Sequence, residues 1–104
     1  MKTKLIISLL GLLLIAGCSK TASELFELSN ENLKDKKTDQ AIEDLETLVT
    51  KYPQDSLASQ AQYKLASINL NWKNELASGY AALQATVNNY GGSIQAIQAQ
   101  KEID

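Results

Sequence analysis

The 104-residue sequence contains no histidine and only one cysteine, Cys18. A lone thiol excludes an internal disulfide, and zinc sites need clustered Cys, His or acidic ligands. No glycine-rich loop is placed to hold a phosphate, and the adjacent carboxylates Glu43 and Asp44 diverge around a helix instead of meeting. We therefore expect no metal site and no catalytic residues, and we expect that the protein is not an enzyme.

Positive charge is also scarce. The chain has no arginine, and from Cys18 onward eight lysines stand against twelve acidic residues, which leaves a net charge of about −4. This balance argues against nucleic acid as a partner, because basic patches are needed to neutralise phosphates. No polybasic segment is present for anionic lipid surfaces. Most of the acids lie between Glu24 and Asp55, and we interpret them as solvated helix faces.

Hydrophobic runs are short. The chain starts with the basic residues Lys2 and Lys4, and residues 5–17 then carry no charge. That run is shorter than the roughly 20 residues that span a bilayer. A basic start, an apolar run of roughly 7–15 residues and small residues at its end are typical of a secretory leader. We therefore assign residues 1–17 to a signal peptide.

The single cysteine stands directly behind this run, in the sequence Ile15-Ala16-Gly17-Cys18. The motif resembles the lipobox of bacterial lipoproteins, in which an aliphatic residue and two small residues precede a cysteine. The resemblance implies cleavage between Gly17 and Cys18, a diacylglycerol thioether on the sulfur of Cys18, and an acyl chain such as palmitate on its new amino group. The alternative is a buried or free cysteine beside an ordinary signal peptide. No other cofactor is expected.

Such a lipid would anchor the protein durably. Each buried methylene contributes about 0.8 kcal/mol, and two or three chains hold a protein that one chain binds only marginally. The residue after the cysteine is Ser19, whereas an Asp there is the usual inner-membrane retention signal of Gram-negative lipoproteins. The resemblance therefore implies the periplasmic side of the outer membrane, if the host has one. Residues 18–21 would be the lipidated tether, and residues 22–104 the folded domain.

The rest of the chain shows helical periodicity, and no segment has the period of two that marks a strand. Thr21 and Glu24 form a capping-box pattern that begins the first helix, and Pro53 ends the second. Gly91 and Gly92 are expected to end the fourth helix in the left-handed cap conformation. The apolar stripes of the four helices are Leu25, Phe26, Leu28 and Leu33; Ala41, Ile42, Leu45, Leu48, Val49 and Tyr52; Ala58, Ala61, Leu65, Ile68 and Trp72; and Leu76, Tyr80, Leu83, Val87 and Tyr90.

These helices form two similar pairs. Apolar residues in the first helix of the first pair recur 37 residues later in the first helix of the second pair, and those of its second helix recur 38 residues later. A one-residue insertion therefore falls in the turn between the paired helices. A helix-turn-helix unit of this period resembles the tetratricopeptide repeat. The motif is carried by Leu28-Ser29 and Leu65-Ala66 in the first helices, and by Ala41, Leu45 and Pro53 in the second helix. The second copy departs from it, with Gly79 for the alanine and Gly91 for the proline.

The fold expected from this resemblance is all-α, with two tandem helix-turn-helix repeats and a C-terminal capping helix that carries Ile94, Ile97 and Ile103. About three repeats are usually needed for stability, because each leaves an apolar face for the next. A mature chain of this size hides only about 60–65% of its unfolded surface. We expect a domain that is marginally stable or gains stability from a partner.

The stretch from Leu48 to Ala77 is similar to the repeats of bacterial envelope proteins. Examples are the repeat lipoprotein of the outer-membrane barrel-assembly machinery and the periplasmic coordinator linked to the Tol–Pal system. The resemblance implies a protein-binding adaptor or scaffold of the cell envelope, with a role in outer-membrane assembly and an envelope protein or peptide as its partner. The alternative is a passive structural lipoprotein without a specific partner.

In tetratricopeptide repeats the first helix of each pair lines a concave groove. Mapped onto this sequence, the resemblance predicts a partner groove in which aromatic anchors are flanked by amides, a combination suited to a peptide or helix. Its residues are Phe26, Asn30, Leu33 and Lys34 together with Tyr63, Ser67, Leu70 and Asn71. The alternative is that Phe26 and Tyr63 only pack against each other across the hairpins.

Overall fold

A computed structural model describes residues 19–104 of the chain. Cys18 and the leader lie outside the described residues, so the lipobox and the signal peptide stay predictions. Over the described part the chain forms five α-helices and no strand, and their bounds follow in chain order. They are α1 (Ala22–Lys34), α2 (Thr38–Lys51), α3 (Ala58–Asn71), α4 (Leu76–Asn89) and α5 (Ile94–Ile103).

The start of α1 is fixed by the predicted capping box. The Glu24 amide donates to Thr21 Oγ1 at 3.1 Å, and the Thr21 amide donates to Glu24 Oε1 at 3.0 Å. These bonds satisfy two backbone donors that the first turn of a helix would otherwise leave unpaired. They also hold the pKa of the Glu24 carboxyl below its usual value, chiefly through the bond from the Thr21 amide.

The apolar stripe of α2 faces the interior as predicted. Ala41, Leu45 and Leu48 are completely buried. The helix ends at Lys51, one residue before the C-cap Tyr52 and two before Pro53. This end is expected because a proline disfavours helical angles at the residue before it.

The helices stack as successive hairpins. Each helix packs against the next one along the chain, and α5 also contacts α3. The carboxyl-terminal ends of α1 and α3 are 37 residues apart, whereas both ends of α2 and α4 are 38 residues apart, so the insertion lies in the turn. Both turns contain a residue with positive φ, Lys36 at 64° and Asn74 at 54°. The tandem helix-turn-helix fold is confirmed, with a fifth helix after the second hairpin.

The interior is built largely from small side chains. Eight of the fourteen buried hydrophobic residues in the described part are alanines. Two hydroxyls are also completely buried, and each donates to a carbonyl of its own helix, Ser29 to Phe26 O at 2.6 Å and Thr86 to Ala82 O at 2.8 Å. These bonds let polar side chains lie in the core without an unpaired donor.

The stripe predicted for α4 is wrong in its first half. Leu76 is 72% exposed and Tyr80 45% exposed, whereas the buried face carries Gly79, Ala82, Leu83 and Thr86. The reason is close packing against α3, because a Cβ on Gly79 would lie 2.5 Å from Leu70 Cδ2 and Cγ. Small residues therefore face α3, and the larger ones are turned away from it.

Three further details differ from expectation. Trp72, the C-cap residue of α3, is 55% exposed. In α5, Ile94 and Ile97 are 70% and 58% exposed, and the helix packs through Ala96 and Ala99 instead. Ala96 and Ala99 are three residues apart and therefore lie on the same side of α5. Both isoleucines consequently lie on the outer side of the helix.

The left-handed cap predicted at the end of α4 is not formed. Neither Gly91 nor Gly92 has a positive φ, and the C-cap is Tyr90, at φ −132° and ψ 43°. The Ser93 amide donates to the Tyr90 carbonyl at 2.9 Å, and the Ser93 hydroxyl then accepts from the Ala96 amide at 3.1 Å. The chain therefore turns through Ser93, which serves as the N-cap of α5.

Candidate partner-binding groove

The eight residues of the predicted groove lie on α1 and α3, at equivalent positions of the two hairpins. All four apolar members are partly buried and pack against the core: Phe26, Leu33, Tyr63 and Leu70. The polar members are more accessible, with Asn30, Lys34 and Asn71 exposed and Ser67 partly buried. The apolar members of the set are thus partly buried against the core, and three of the four polar members are exposed to solvent.

Lys64 bridges the two halves of this surface. Its ammonium lies 5.0 Å from the centre of the Phe26 ring, in the range of a cation–π contact. The same ammonium donates to the side-chain oxygen of Asn30. Burial lowers the pKa of Lys64, because the charged form is partly removed from water. A residue of α3 therefore anchors the aromatic ring and the amide of α1.

Sequence reasoning missed Lys64, although one signal could have pointed to it. Lys64 follows Tyr63 directly, and successive helical residues project about 100° apart. It is therefore placed to reach sideways to a neighbouring helix when Tyr63 lies between helices. A long, flexible side chain at that position can cover apolar surface while its charged end finds a partner.

Tyr63 connects α3 to α5. Its hydroxyl donates to Glu102 Oε2 of α5 at 2.5 Å. This bond, with some burial and the nearby negative charge, raises the pKa of Tyr63 to about 12. A second bond joins the same two helices, from Ser59 Oγ to Gln95 Oε1 at 3.1 Å. Polar contacts therefore link α3 both to α1 and to α5.

Leu70 belongs to the helix interface more than to an open groove. Its side chain occupies the space beside Gly79, where a Cβ would be only 2.5 Å away. The accessible members of the predicted groove are therefore Asn30, Lys34 and Asn71. The surface composed of the eight predicted residues and Lys64 is called the amide face below.

Two cavities lie at opposite ends of the hairpins. One, of about 510 Å³, is lined by residues at the C-terminal ends of α2 and α4 and by Gln62. The other, of about 560 Å³, is lined by the hairpin turns, including Trp72 and Lys73. The Lys73 ammonium lies 2.6 Å from Asp39 Oδ1 across this cavity, and this contact with Asp39 raises the pKa of Lys73.

Residues 19–104 contain neither a helix that could cross a bilayer nor a cluster that could hold a metal ion. No helix in that range is both long and apolar enough to span a bilayer. The same residues contain no group of three or more Cys, His, Asp or Glu side chains arranged to hold a metal ion.

Comparison with known proteins gives one match. The family model for the tetratricopeptide repeat matches residues 10–55, a segment that includes α1 and α2. No curated protein and no solved structure matches the chain. The five stacked helices and this match over the first hairpin together show a fold of tandem tetratricopeptide-like repeats. Repeats of this type present extended concave surfaces that bind protein partners.

Proposed function

We propose that the chain is a lipid-anchored adaptor of the bacterial cell envelope, which binds a protein or peptide partner through its amide face. The observation that carries the proposal is the amide face itself, which combines exposed Asn30, Lys34 and Asn71 with partly buried aromatic rings on the same two helices. Aromatic side chains often dominate interface energy, and amides can pair with the backbone of an extended or helical peptide. A role in outer-membrane assembly follows from the resemblance to repeat lipoproteins.

The beginning of the domain supports the anchor. Only Ser19 and Lys20 separate Cys18 from the N-cap Thr21, so the tether spans about 10 Å at roughly 3.5 Å per residue. The Tyr52 hydroxyl also donates to the Lys20 carbonyl at 2.5 Å. A lipid on Cys18 would therefore hold the amino-terminal end of α1 and the carboxyl-terminal end of α2 close to the membrane surface.

The anchor is tested with Cys18→Ala. The variant is expected to lose lipid labelling and to leave the membrane fraction, because no other residue can accept the diacylglycerol thioether. A variant that stays with the membrane would contradict the lipobox assignment. A second variant, Ser19→Asp, is expected to move the protein from the outer to the inner membrane in an enteric Gram-negative host, as measured on a sucrose gradient. An unchanged distribution would contradict the sorting assignment.

The partner is tested by crosslinking in cells followed by affinity purification. Asn71→Ala and Lys34→Ala alter exposed side chains, so the helical signal and melting temperature should stay unchanged while the crosslinked partner is lost. Glu46→Ala is the matched control, because Glu46 is also exposed but lies on α2. Tyr63→Ala should also lose the partner. The melting temperature of this variant, compared with that of the unaltered protein, shows how much Tyr63 and its bond to Glu102 contribute to stability.

The competing function is a passive structural lipoprotein. It predicts that crosslinking of the unaltered protein captures no stoichiometric partner, although Cys18 is still lipidated. If Tyr63→Ala unfolds the domain and Asn71→Ala changes nothing, Tyr63 is a core residue and Asn71 an ordinary surface residue. The amide face then binds no partner. In that case the adaptor function would require a different binding face.

A further inference from the structure

The connections between the helices alternate between two ends of the domain. Residues 35–37 and 72–75 form the turns within the two hairpins, whereas residues 52–57 join α2 to α3 and residues 90–93 join α4 to α5. Consecutive helices pack against each other across these short connections, so they run antiparallel. The chain enters α1 at the same end as residues 52–57, where the Tyr52 hydroxyl donates to the Lys20 carbonyl.

Contacts between these segments show that they form one continuous end. Pro53 lines the same cavity as Tyr90, and the Ser93 amide donates to the Tyr90 carbonyl at 2.9 Å. The bond from Ser59 Oγ to Gln95 Oε1, at 3.1 Å, joins the start of α3 to the start of α5. The starts of α1, α3 and α5 and the ends of α2 and α4 therefore lie together.

The two ends of the domain differ in charge. Residues 20–21, 52–57 and 90–94 are called the loop end below, and two of these thirteen residues, Lys20 and Asp55, are charged. Residues 35–37 and 72–75 are called the turn end, and five of these seven residues are charged. Ile94 is 70% exposed and begins α5 at the loop end. Contact with an apolar boundary would therefore remove fewer charges from water at the loop end than at the turn end.

We propose that the loop end rests on the bilayer surface, with Ile94 inserted between the lipid head groups. The inference rests on the lipid anchor of the proposed function. Two residues separate Cys18 from the N-cap Thr21, so a lipid on Cys18 brings Thr21 within about 10 Å of the bilayer. A helix with its side chains is about 10–12 Å across, so another folded protein does not fit between Thr21 and the head groups. The length of the tether therefore favours the bilayer over a protein as the occupant.

Ile94 supplies a second point of contact with the bilayer. α3 contacts α1 through the bond from Lys64 to Asn30, and it packs against α5. Neighbouring helices have axes 8–10 Å apart, so α5 lies roughly 20 Å from α1. A tether at α1 alone would let the domain tilt, whereas a contact at α5 limits the tilt. Because the anchor already holds the domain at the surface, this contact forms at high effective concentration, and one apolar side chain is enough.

This orientation also places part of the amide face away from the bilayer. Lys34 and Asn71 are the last residues of α1 and α3, so both lie beside the turn end. A 14-residue helix is about 21 Å long, which separates Asn71 from the lipid surface by roughly that distance. These two residues would therefore stay accessible to a protein partner while the loop end is covered by lipid.

The orientation is tested by quenching of tryptophan fluorescence. The full lipidated protein, with Trp72→Phe to remove its one tryptophan, is reconstituted in vesicles of phosphatidylethanolamine and phosphatidylglycerol with or without brominated acyl chains. Ile94→Trp reports on the loop end. Leu76→Trp is the matched control, because Leu76 is 72% exposed and begins α4 at the turn end. Bromine quenches an indole that contacts the acyl chains, so we expect about a twofold loss of emission for Ile94→Trp and little change for Leu76→Trp.

Mass spectrometry of the same samples separates this inference from the anchor itself. Lipid on Cys18 together with equal quenching of the two indoles, or with no quenching of Ile94→Trp, would overturn the orientation and leave the anchor intact. Protein that carries no lipid on Cys18 would overturn the anchor and the orientation together.

The occupant is identified by crosslinking in cells. A photo-crosslinking amino acid replaces Ile94 in the full chain, and in the matched control it replaces Leu76. The expected product at Ile94 is heavier than the lipidated protein by the mass of one phospholipid, and the control should not form it. A stoichiometric crosslink from Ile94 to a protein would overturn the proposal.

Discussion

Gly79 gives the most direct test of how closely the second hairpin is packed. It lies inside α4 and is buried, and it replaces the alanine that stands at the equivalent position of the first repeat, Ala41. Gly79→Ala would restore the repeat pattern and improve helix propensity by about 1 kcal/mol. If propensity alone decided the outcome, the variant would be more stable than the natural protein.

The structure predicts the opposite. The new Cβ would lie 2.5 Å from Leu70 Cγ and Cδ2 and 3.3 Å from the Leu70 amide nitrogen. Carbon atoms normally approach to about 3.5–4.0 Å, so α3 and α4 must separate by about 1 Å or Leu70 must move. Overpacking of this kind costs about 1–3 kcal/mol. After the propensity gain, we expect a net loss of about 1 kcal/mol, which lowers the melting temperature by roughly 4–8 °C in a domain of this size.

The assay is thermal and urea unfolding of the chain from Ser19 onward, followed by circular dichroism. Gly92→Ala is the matched control, because nothing lies within 4 Å of a Cβ at Gly92 and its φ is not positive. That control should be neutral or slightly stabilising. In the background Leu70→Ala, the cost of Gly79→Ala should disappear, since the clashing atoms are gone. A Gly79→Ala protein at least as stable as the natural one would refute the close approach of α3 and α4.

Three further predictions concern stability and ionisation. Leu45→Ala and Leu83→Ala should each lower the free energy of unfolding by about 2–5 kcal/mol and lose helical signal at 37 °C. Glu43→Ala should do neither, and equal tolerance of all three substitutions would mean that the helical register is wrong. The pKa of Tyr63, raised to about 12 by its bond to Glu102, means that this residue's contribution to stability is present below its ordinary pKa of 10 and is lost as the pH rises toward 12. Absorbance at 295 nm should therefore show a tyrosinate step near pH 12 that Tyr63→Phe removes, and persistence of that step would exclude Tyr63 as its source. The natural domain should melt below about 80 °C, as a core of two repeats implies, and a higher, concentration-independent midpoint would contradict that expectation.

The sequence predicted the fold class well because the first hairpin follows the simplest rules. Its capping residues, its stripe through Leu45 and Leu48 and its stop before Pro53 are all local signals, and each was confirmed. The stripe of α4 failed because hydrophobicity identifies large residues, and here large residues face outward. Gly79 and Ala82 face α3 because of a short helix-to-helix distance, which no local pattern encodes.

The amide face was predictable only in part. Its eight predicted residues lie on α1 and α3, and their role as a partner groove stays a prediction. The contacts that organise it were not predictable, since Lys64 reaches Phe26 and Glu102 reaches Tyr63 only once the hairpins are stacked. Such contacts depend on the angle between helices far apart in sequence. The assignments at Cys18 rest on sequence alone and stay predictions.

The alanine-rich interior affects how stability varies with temperature. The heat-capacity change of unfolding grows with the apolar area that unfolding exposes, and eight alanines among fourteen buried hydrophobic residues expose little. A small heat-capacity change makes the curve of free energy against temperature shallow, so stability falls slowly on either side of its maximum. Calorimetry should accordingly find a value below the usual 12–15 cal/mol/K per residue. A domain of modest stability would then keep nearly the same fraction of its molecules folded in the cold as in moderate warmth.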